Sequence, residues 1–168
     1  IKRVKDEMKI DKFELIFVDD NSNDNTQQIL INLKKKYKFL KYFFRNNKKK
    51  DLSRSCILGF EKSIYKNILV MDGDLQHPPR YIKILSKIFF EKKADIVVGS
   101  RNLFKKKSPG LSFVRYISSL TIIYVINFFL ENKSSDPLSG FFIFKKDIYK
   151  KYKKNLFARG YKILADLI

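Results

Sequence analysis

Short apolar runs alternate with longer segments of mixed polarity from residue 13 to about residue 101. The apolar runs have the length of strands and lie at 13–18, 40–44, 67–71 and 95–98. The segments between them, at 27–36, 53–63 and 80–92, read as amphipathic helices. Because strands that alternate with helices are typical of parallel sheets, the pattern predicts an α/β fold with a doubly wound, mostly parallel sheet.

Beyond this region the alternation breaks. The sequence predicts a basic loop at 102–112, an apolar helix at 113–130, a turn at 134–140, a strand at 141–144, a helix at 145–152 and a last helix opened by residues 160–162. The apolar helix is interrupted by polar and charged residues, so we expect it to lie in an interface or on a partner and not to span a bilayer, which needs about 20 apolar residues. With no internal repeat and no linker composition, residues 1–168 are interpreted as one domain.

Acidic residues follow two of the predicted strands. Asp72-Gly73-Asp74 comes directly after the run 67–71, and Asp19 and Asp20 follow the run 13–18. In open α/β sheets, ligands bind beyond the carboxyl ends of the strands, which is where these acids fall. Neighbouring carboxylates suit Mg²⁺ or Mn²⁺, ions commonly held by one or two carboxylates together with substrate phosphates.

Two other interpretations of the Asp72-Gly73-Asp74 pair compete with a metal site. Glycoside hydrolysis requires carboxyl groups roughly 5 to 9 Å apart on opposite sides of a sugar, which neighbours in one turn achieve poorly. A surface turn that caps the next helix is the structural alternative, and the residue types alone do not exclude it.

The net charge of +19 fits an anionic partner, which could be nucleic acid, an anionic membrane surface or a phosphorylated substrate. The alternative is a general enrichment in lysine, because Lys, Asn, Ile and Phe are all abundant in the chain. Most aromatic residues lie in apolar periodic segments and are not interleaved with arginine, which disfavours a nucleic-acid-binding module. The single cysteine, Cys56, is interpreted as a small buried apolar residue, and the single histidine, His77, as a helix-entry residue.

Four motifs in chain order carry a resemblance to a known family. They are Val18-Asp19-Asp20-Asn21-Ser22-Asn23-Asp24-Asn25-Thr26, Met71-Asp72-Gly73-Asp74-Leu75-Gln76-His77-Pro78-Pro79, Val98-Gly99-Ser100-Arg101 and Ser135-Asp136-Pro137-Leu138-Ser139-Gly140-Phe141-Phe142. From about residue 13 to 166 the chain resembles family-2 glycosyltransferases with the GT-A fold, most closely the dolichol-phosphate mannose synthases and related polyprenyl-phosphate glycosyltransferases. The resemblance implies a Rossmann-like, mostly parallel sheet flanked by helices. It also implies a domain truncated at both ends, because the family's opening Pro-x-Tyr-Asn-Glu strand and a downstream arginine are not in the sequence.

The resemblance further implies roles for individual residues. The nucleotide sugar would be bound by Val18, Asp19, Asp20, Asp72, Gly73, Asp74, Arg101 and Lys162. The divalent metal would be held by Asp72, Asp74 and Gln76, and the catalytic residues would be Asp72, Asp74 and Arg101. The acceptor lipid phosphate would be held by Arg101, Arg115 and Ser119, of which the last two lie one helical turn apart and hence on one face.

The expected activity is an inverting, metal-dependent transfer of a sugar from a nucleotide-diphosphate sugar to a polyprenyl or dolichyl phosphate. GDP-mannose is the expected donor. The expected location is the cytoplasmic face of a membrane, with peripheral attachment and any membrane-anchor segment or subunit outside the chain. Alternatives are a UDP-glucose donor, another family-2 transfer to a hydroxyl acceptor, a noncatalytic product, and a basic nucleic-acid-binding module; nucleic acid is not an expected partner.

Overall fold

The structure is a computed structural model that describes residues 1–8, 12–46, 49–74, 77–100, 128 and 136–168. Strands and helices alternate along most of these ranges. The strands are β1 Leu15–Asp19, β2 Leu40–Phe44, β3 Asn67–Met71, β4 Ile96–Val98 and β5 Phe141–Lys145. The helices are α1 Lys2–Glu7, α2 Thr26–Lys36, α3 Leu52–Lys62, α4 Arg80–Glu91, α5 Lys146–Tyr152 and α6 Ile163–Leu167. The predicted bounds of β2 and β3 are confirmed, and those of the other strands and of α2 to α5 hold to within a residue or two.

The strands of the described part of the chain form two sheets. β1 and β2 pair in parallel, with Leu15 opposite Leu40 and Asp19 opposite Phe44. β5 lies between β3 and β4 and runs antiparallel to both. The α/β architecture with parallel strands is therefore confirmed, while the antiparallel strand inserted between β3 and β4 is a feature that the sequence analysis did not anticipate.

β5 lies at the centre of the core because alternate side chains along a strand point to opposite faces of the sheet. Phe142 and Phe144 pack in one cluster with α3, α5 and α6, whereas Phe141 and Ile143 pack in another with α4. From its short apolar sequence, the run 67–71 is expected to be a central strand of a parallel sheet, covered on both faces. This expectation is wrong for the described residues. β3 is an edge strand of its sheet, and its residues are partly or fully exposed.

Helix α3 packs against both sheets. A Cβ atom built at Gly59 would lie 3.6 Å from Val18 Cγ2 of β1, so helix and strand approach closely at this point. One turn of the same helix carries Phe60, whose ring centroid lies 4.9 Å from that of Phe144 in β5. The N-terminal end of α3 lies at the carboxyl ends of β1 and β2, because the backbone of Asp51 hydrogen-bonds with Asp20 and with Arg45.

The predicted loop 102–112 and apolar helix 113–130 fall almost wholly outside the described residues. Within the ranges that are described, no helix combines the length and apolar character required to cross a membrane.

Candidate functional site

Asp72 follows the last residue of β3, and its carboxylate occupies the position that a side chain at Gly140 would take. A Cβ atom at Gly140 would lie 2.6 Å from Asp72 Cγ, closer than real side chains allow. Asp72 Oδ2 also lies 3.7 Å from His77 Nε2. Gly140, the last residue before β5, therefore makes room for the carboxylate that β3 delivers.

The electrostatics of Asp72 reflect this half-buried position. Burial raises the pKa of Asp72, His77 opposes the rise, and the negative charge of Asp74 adds to it. Asp72 and Asp74 belong to the same turn and are separated only by Gly73. Asp74 and Gly73 are exposed in the turn that follows β3.

The donor set at this turn fits a divalent cation bound together with a substrate. In the described part of the chain, no group of three or more His, Cys, Asp or Glu side chains is arranged to hold a metal. Two hard carboxylates suffice for Mg²⁺ or Mn²⁺ when substrate phosphates and water complete the coordination. Asp72 and Asp74 are the residues that could supply them.

His77 is buried, which the sequence analysis did not predict. Its ring stacks on Phe141, with centroids 5.2 Å apart and planes 18° from parallel, and its Nε2 faces Asp72. The interpretation of His77 as a helix-entry residue therefore misses its main contacts. The only sequence signal for them is its position shortly after the acidic pair, because Phe141 is distant in the chain.

Asp19, the last residue of β1, is buried and its carboxylate is satisfied locally. Its oxygens accept hydrogen bonds from the backbone N–H and hydroxyl of Ser22 and from Gln27 Nε2, the last at 2.8 Å. Burial raises the pKa of Asp19, but the hydrogen bonds from Ser22 and Gln27 outweigh it, so the pKa lies below its usual value. Asp19 thus stabilises the turn that leads into α2.

Asp20 forms an ion pair with Arg45, the residue that follows β2. One carboxylate oxygen accepts from Arg45 Nη1 and the other accepts from the backbone N–H of Asp51. Arg45 is only 9% exposed and also donates to the Asp51 carbonyl and to Ser55 Oγ, each at 2.9 Å. No role for Arg45 was predicted from the sequence, although its position directly after the strand that neighbours β1 was a signal for one.

Asp51 caps helix α3 and holds a distant segment against it. Its Oδ1 accepts the backbone N–H of Arg54 at 3.0 Å, and its Oδ2 accepts that of Gly160 at 3.1 Å. The Gly160 carbonyl accepts the N–H of Ser53 in return, and Gly160 has a φ of +79°, which favours glycine. The exposed Lys162 lies two residues further on, so the docked turn brings this lysine to the site.

Helix α3 lies against the end of β3, because Cys56 of the helix and Val70 of the strand pack against the same apolar cluster. Burial raises the pKa of the Cys56 thiol to about 12, and the negative charges of Asp72 and Asp51 contribute to the rise. The thiol of Cys56 therefore stays protonated, in agreement with its interpretation as a small apolar residue and not a nucleophile, although its side chain is only partly buried.

Two concavities are lined by residues in or beside the predicted site. One of about 400 Å³ is mainly apolar and is lined by Leu138, Phe157 and residues 159–162. The other, of about 530 Å³, is mainly polar and is lined by side chains of the turn after β1, the start of α2 and Asn46.

The structure thus places Asp19 and Asp20 at the end of β1, residues 72–74 directly after β3, and Lys162 after the turn docked on Asp51, whereas the side chain of Val18 packs against α3. Four of the predicted site residues lie outside the described residues: Gln76, Arg101, Arg115 and Ser119.

Comparison with known proteins identifies the family. Residues 1–153 match glycosyl transferase family 2. The chain is 34% identical over 159 residues to the dolichol-phosphate mannosyltransferase of Pyrococcus furiosus, an alignment that covers 93% of the chain and 44% of the relative. It is 31% identical over 171 residues to the dolichol-phosphate mannosyltransferase of Saccharomyces cerevisiae, covering 94% of the chain and 58% of the relative. An uncharacterised protein of Methanocaldococcus jannaschii is 31% identical over 171 residues, covering 97% of the chain and 72% of that protein.

The chain spans about half the length of the two mannosyltransferases that it matches. The family match extends over nearly the whole chain and includes the strands that deliver Asp20 and Asp72. The chain therefore belongs to glycosyl transferase family 2.

Proposed function

We propose that the chain is the catalytic part of an inverting, metal-dependent glycosyltransferase that moves mannose from GDP-mannose to a polyprenyl or dolichyl phosphate at the cytoplasmic face of a membrane. The observation that carries the proposal is the half-buried Asp72, seated over Gly140 beside Asp74, at the edge where Asp20 follows β1. The two relatives named dolichol-phosphate mannosyltransferases support the choice of donor and acceptor.

Asp72 and Asp74 would hold Mg²⁺ or Mn²⁺, with Gln76 as a further oxygen ligand. The ion would neutralise the diphosphate of the donor and so stabilise it as a leaving group. The raised pKa of Asp72 is consistent with this role, because a carboxylate destabilised by burial and by Asp74 gains most from a nearby cation.

The nucleoside would lie against the turn after β1, near Val18, Asp19, Asp20 and Gly73. Among the described residues, each oxygen of the Asp20 carboxylate accepts one hydrogen bond, and a carboxylate oxygen has two lone pairs. Asp20 therefore keeps acceptor capacity for N–H or O–H groups of a base or ribose. The Asp19 carboxylate, which already accepts three hydrogen bonds, would act mainly by shaping the turn.

The transfer itself requires no general base. An acceptor phosphate monoester carries between one and two negative charges near neutral pH, so its oxygen can attack the anomeric carbon directly. The new bond joins this oxygen to the anomeric carbon as the bond to the donor diphosphate breaks, which inverts the configuration. Lys162 and Arg101 would stabilise the donor phosphates, and Arg101, Arg115 and Ser119 would hold the acceptor phosphate.

The proposal is tested by incubating the purified full-length protein with radiolabelled GDP-mannose or UDP-glucose, polyprenyl phosphate and Mg²⁺. We expect label from GDP-mannose to enter the lipid fraction and chelation of the metal to abolish the transfer. If label is transferred from UDP-glucose and not from GDP-mannose, the proposed donor is wrong but the proposed type of reaction stands. No transfer from either donor would contradict the proposed function.

The metal assignment is tested by Asp74→Asn, which we expect to abolish metal-dependent turnover because it removes one of two anionic ligands. The matched control is Asp147→Asn on α5, whose exposed carboxylate pairs only locally with Lys150. Full activity of Asp74→Asn would contradict the metal site.

A further inference from the structure

Arg45 is a buried cation that pairs with Asp20 of the candidate site. Its side chain is 9% exposed, and a guanidinium removed from water is tolerated only when counter-charges and acceptors replace its hydration. Asp20 supplies the counter-charge, and the Asp51 carbonyl, Ser55 Oγ and the Lys49 carbonyl supply acceptors at 2.9 to 3.4 Å. Nη1 contacts Asp20, the Asp51 carbonyl and Ser55 Oγ, and Nη2 contacts the Lys49 carbonyl. A lysine could keep the charge but has no second nitrogen in the fixed geometry of a guanidinium.

The backbone of Arg45 is fixed as well. Its N–H donates to the Asp19 carbonyl at 2.9 Å and so continues the β1–β2 pairing by one residue. Since Asp20 is the next residue after Asp19, the ion pair joins two chain segments whose backbones are already held together. The guanidinium therefore fixes the orientation of the Asp20 carboxylate.

Asp51 connects this ion pair to the segment that carries Lys162. Its backbone N–H donates to Asp20, its carbonyl accepts from Arg45, and its carboxylate accepts the N–H of Gly160. One residue thus contacts the acid predicted to bind the nucleoside, the arginine that orients this acid, and the turn predicted to approach the donor phosphates.

We infer that Arg45 is a positioning residue for the nucleoside diphosphate: it orients Asp20 and, through Asp51, holds the Gly160–Lys162 turn beside the same ligand. The inference rests on the proposed function, because it assumes a nucleotide at this edge. Arg45 acts through other residues and need not touch the ligand. A purely structural arginine would contribute to stability without changing the affinity for the nucleotide.

The test measures binding of GDP and of UDP, each with Mg²⁺, to the full-length protein by calorimetry. Arg45→Met is expected to raise the dissociation constant of the bound nucleotide about tenfold or more, since a misoriented charged acceptor loses hydrogen bonds to the ligand. Arg45→Lys, which keeps the charge but not the fork, is expected to give an intermediate loss. Arg54→Met is the matched control, because the Arg54 guanidinium is exposed and its ion pair with Asp51 Oδ2 is long, at 4.0 Å. The dissociation constant of this variant should differ from that of the wild type by less than about twofold.

A double-mutant comparison separates positioning from general stability. If Arg45 acts through Asp20, then adding Arg45→Met to Asp20→Asn will weaken binding much less than it does in the wild-type background. An unchanged dissociation constant for Arg45→Met, or an equal loss in both backgrounds, would overturn the inference. Should Arg45→Met fail to fold, Arg45→Lys takes its place: its dissociation constant is compared with that of the wild type, and its effect is compared between the wild-type and Asp20→Asn backgrounds. A wild-type protein that binds neither nucleotide would instead contradict the proposed function, and the inference would fall with it.

Discussion

The carboxylate of Asp72 occupies space that only a glycine at position 140 leaves open. Gly140→Ala would place a methyl group 2.6 Å from Asp72 Cγ. Because an aspartate side chain can rotate away, we expect the variant to fold but to lose about a hundredfold in turnover, the scale of loss that a displacement of about 1 Å causes in a catalytic site. Transfer assays together with thermal unfolding measure the two effects.

Gly73→Ala is the control for this prediction. A Cβ atom at Gly73 has no described protein atom within 4 Å, so Gly73→Ala should keep the wild-type thermal stability and leave Asp72 in its present position. Equal turnover of Gly140→Ala and the wild type would show that Asp72 does not need its present position.

The hydrogen bonds that the Asp19 carboxylate accepts stabilise the folded chain against unfolding by acid. Its folded-state pKa is lowered, so it contributes stability above the unfolded-state pKa, and this stability is lost as the pH falls through the folded-state value. Gln27→Leu removes one of the donors that outweigh burial. We expect the midpoint of acid unfolding, followed by circular dichroism, to move to higher pH.

The neighbouring glutamine provides the control for this measurement. Gln28 is exposed, and its hydrogen bond to a described residue is a long one to Asn32, at 3.5 Å, so Gln28→Leu should leave the acid midpoint unchanged. Identical shifts for the two variants would mean that the Asp19 hydrogen bond is not the cause.

At the scale of secondary structure, β5 contributes most to the packing of the described core. Phe142 is fully buried and lies between β3 and β4, in contact with the helices on one face of the sheet. Phe142→Ala is therefore expected to lower the free energy of unfolding by about 3 to 5 kcal/mol, through lost burial and the cavity that remains. Urea denaturation measures the change.

Phe90→Ala on α4 is the matched control, because this phenylalanine is 51% exposed. Its substitution should cost about 1 kcal/mol or less. A similar cost at both positions would contradict the central position of β5.

At the scale of the whole molecule, the net charge of +19 produces a positive field around the protein. We expect the protein to co-sediment with vesicles that contain anionic phospholipid and not with vesicles of neutral phosphatidylcholine. This binding should weaken strongly at 1 M salt, where the screening length falls to about 3 Å. Equal binding to both kinds of vesicle would contradict an electrostatic membrane contact.

The same field would also attract nucleic acid, so charge alone does not distinguish a membrane from RNA as the partner. The effect of a nucleotide sugar on binding distinguishes them. Binding to generic RNA that is steep in salt and unaffected by nucleotide sugar would favour the nucleic-acid alternative. A nucleotide-sugar effect on membrane binding or on transfer would favour the transferase.

The sequence by itself determined the elements and the type of chemistry. Strand and helix bounds follow from local apolar periodicity, and acids directly after strands are visible as neighbours in the chain, so β2, β3 and the acidic pair Asp72 and Asp74 were predictable. The family likewise followed from motifs that are each contiguous in sequence.

Only the tertiary structure decided which distant residues meet. Arg45 pairs with Asp20 across 25 positions, and Gly160 reaches Asp51 across 109. The antiparallel placement of β5 and the stacking of Phe141 on His77 also join segments far apart in the chain. Periodicity reports which face of an element is buried and not what covers it, because the partner is selected by the packing of the whole chain.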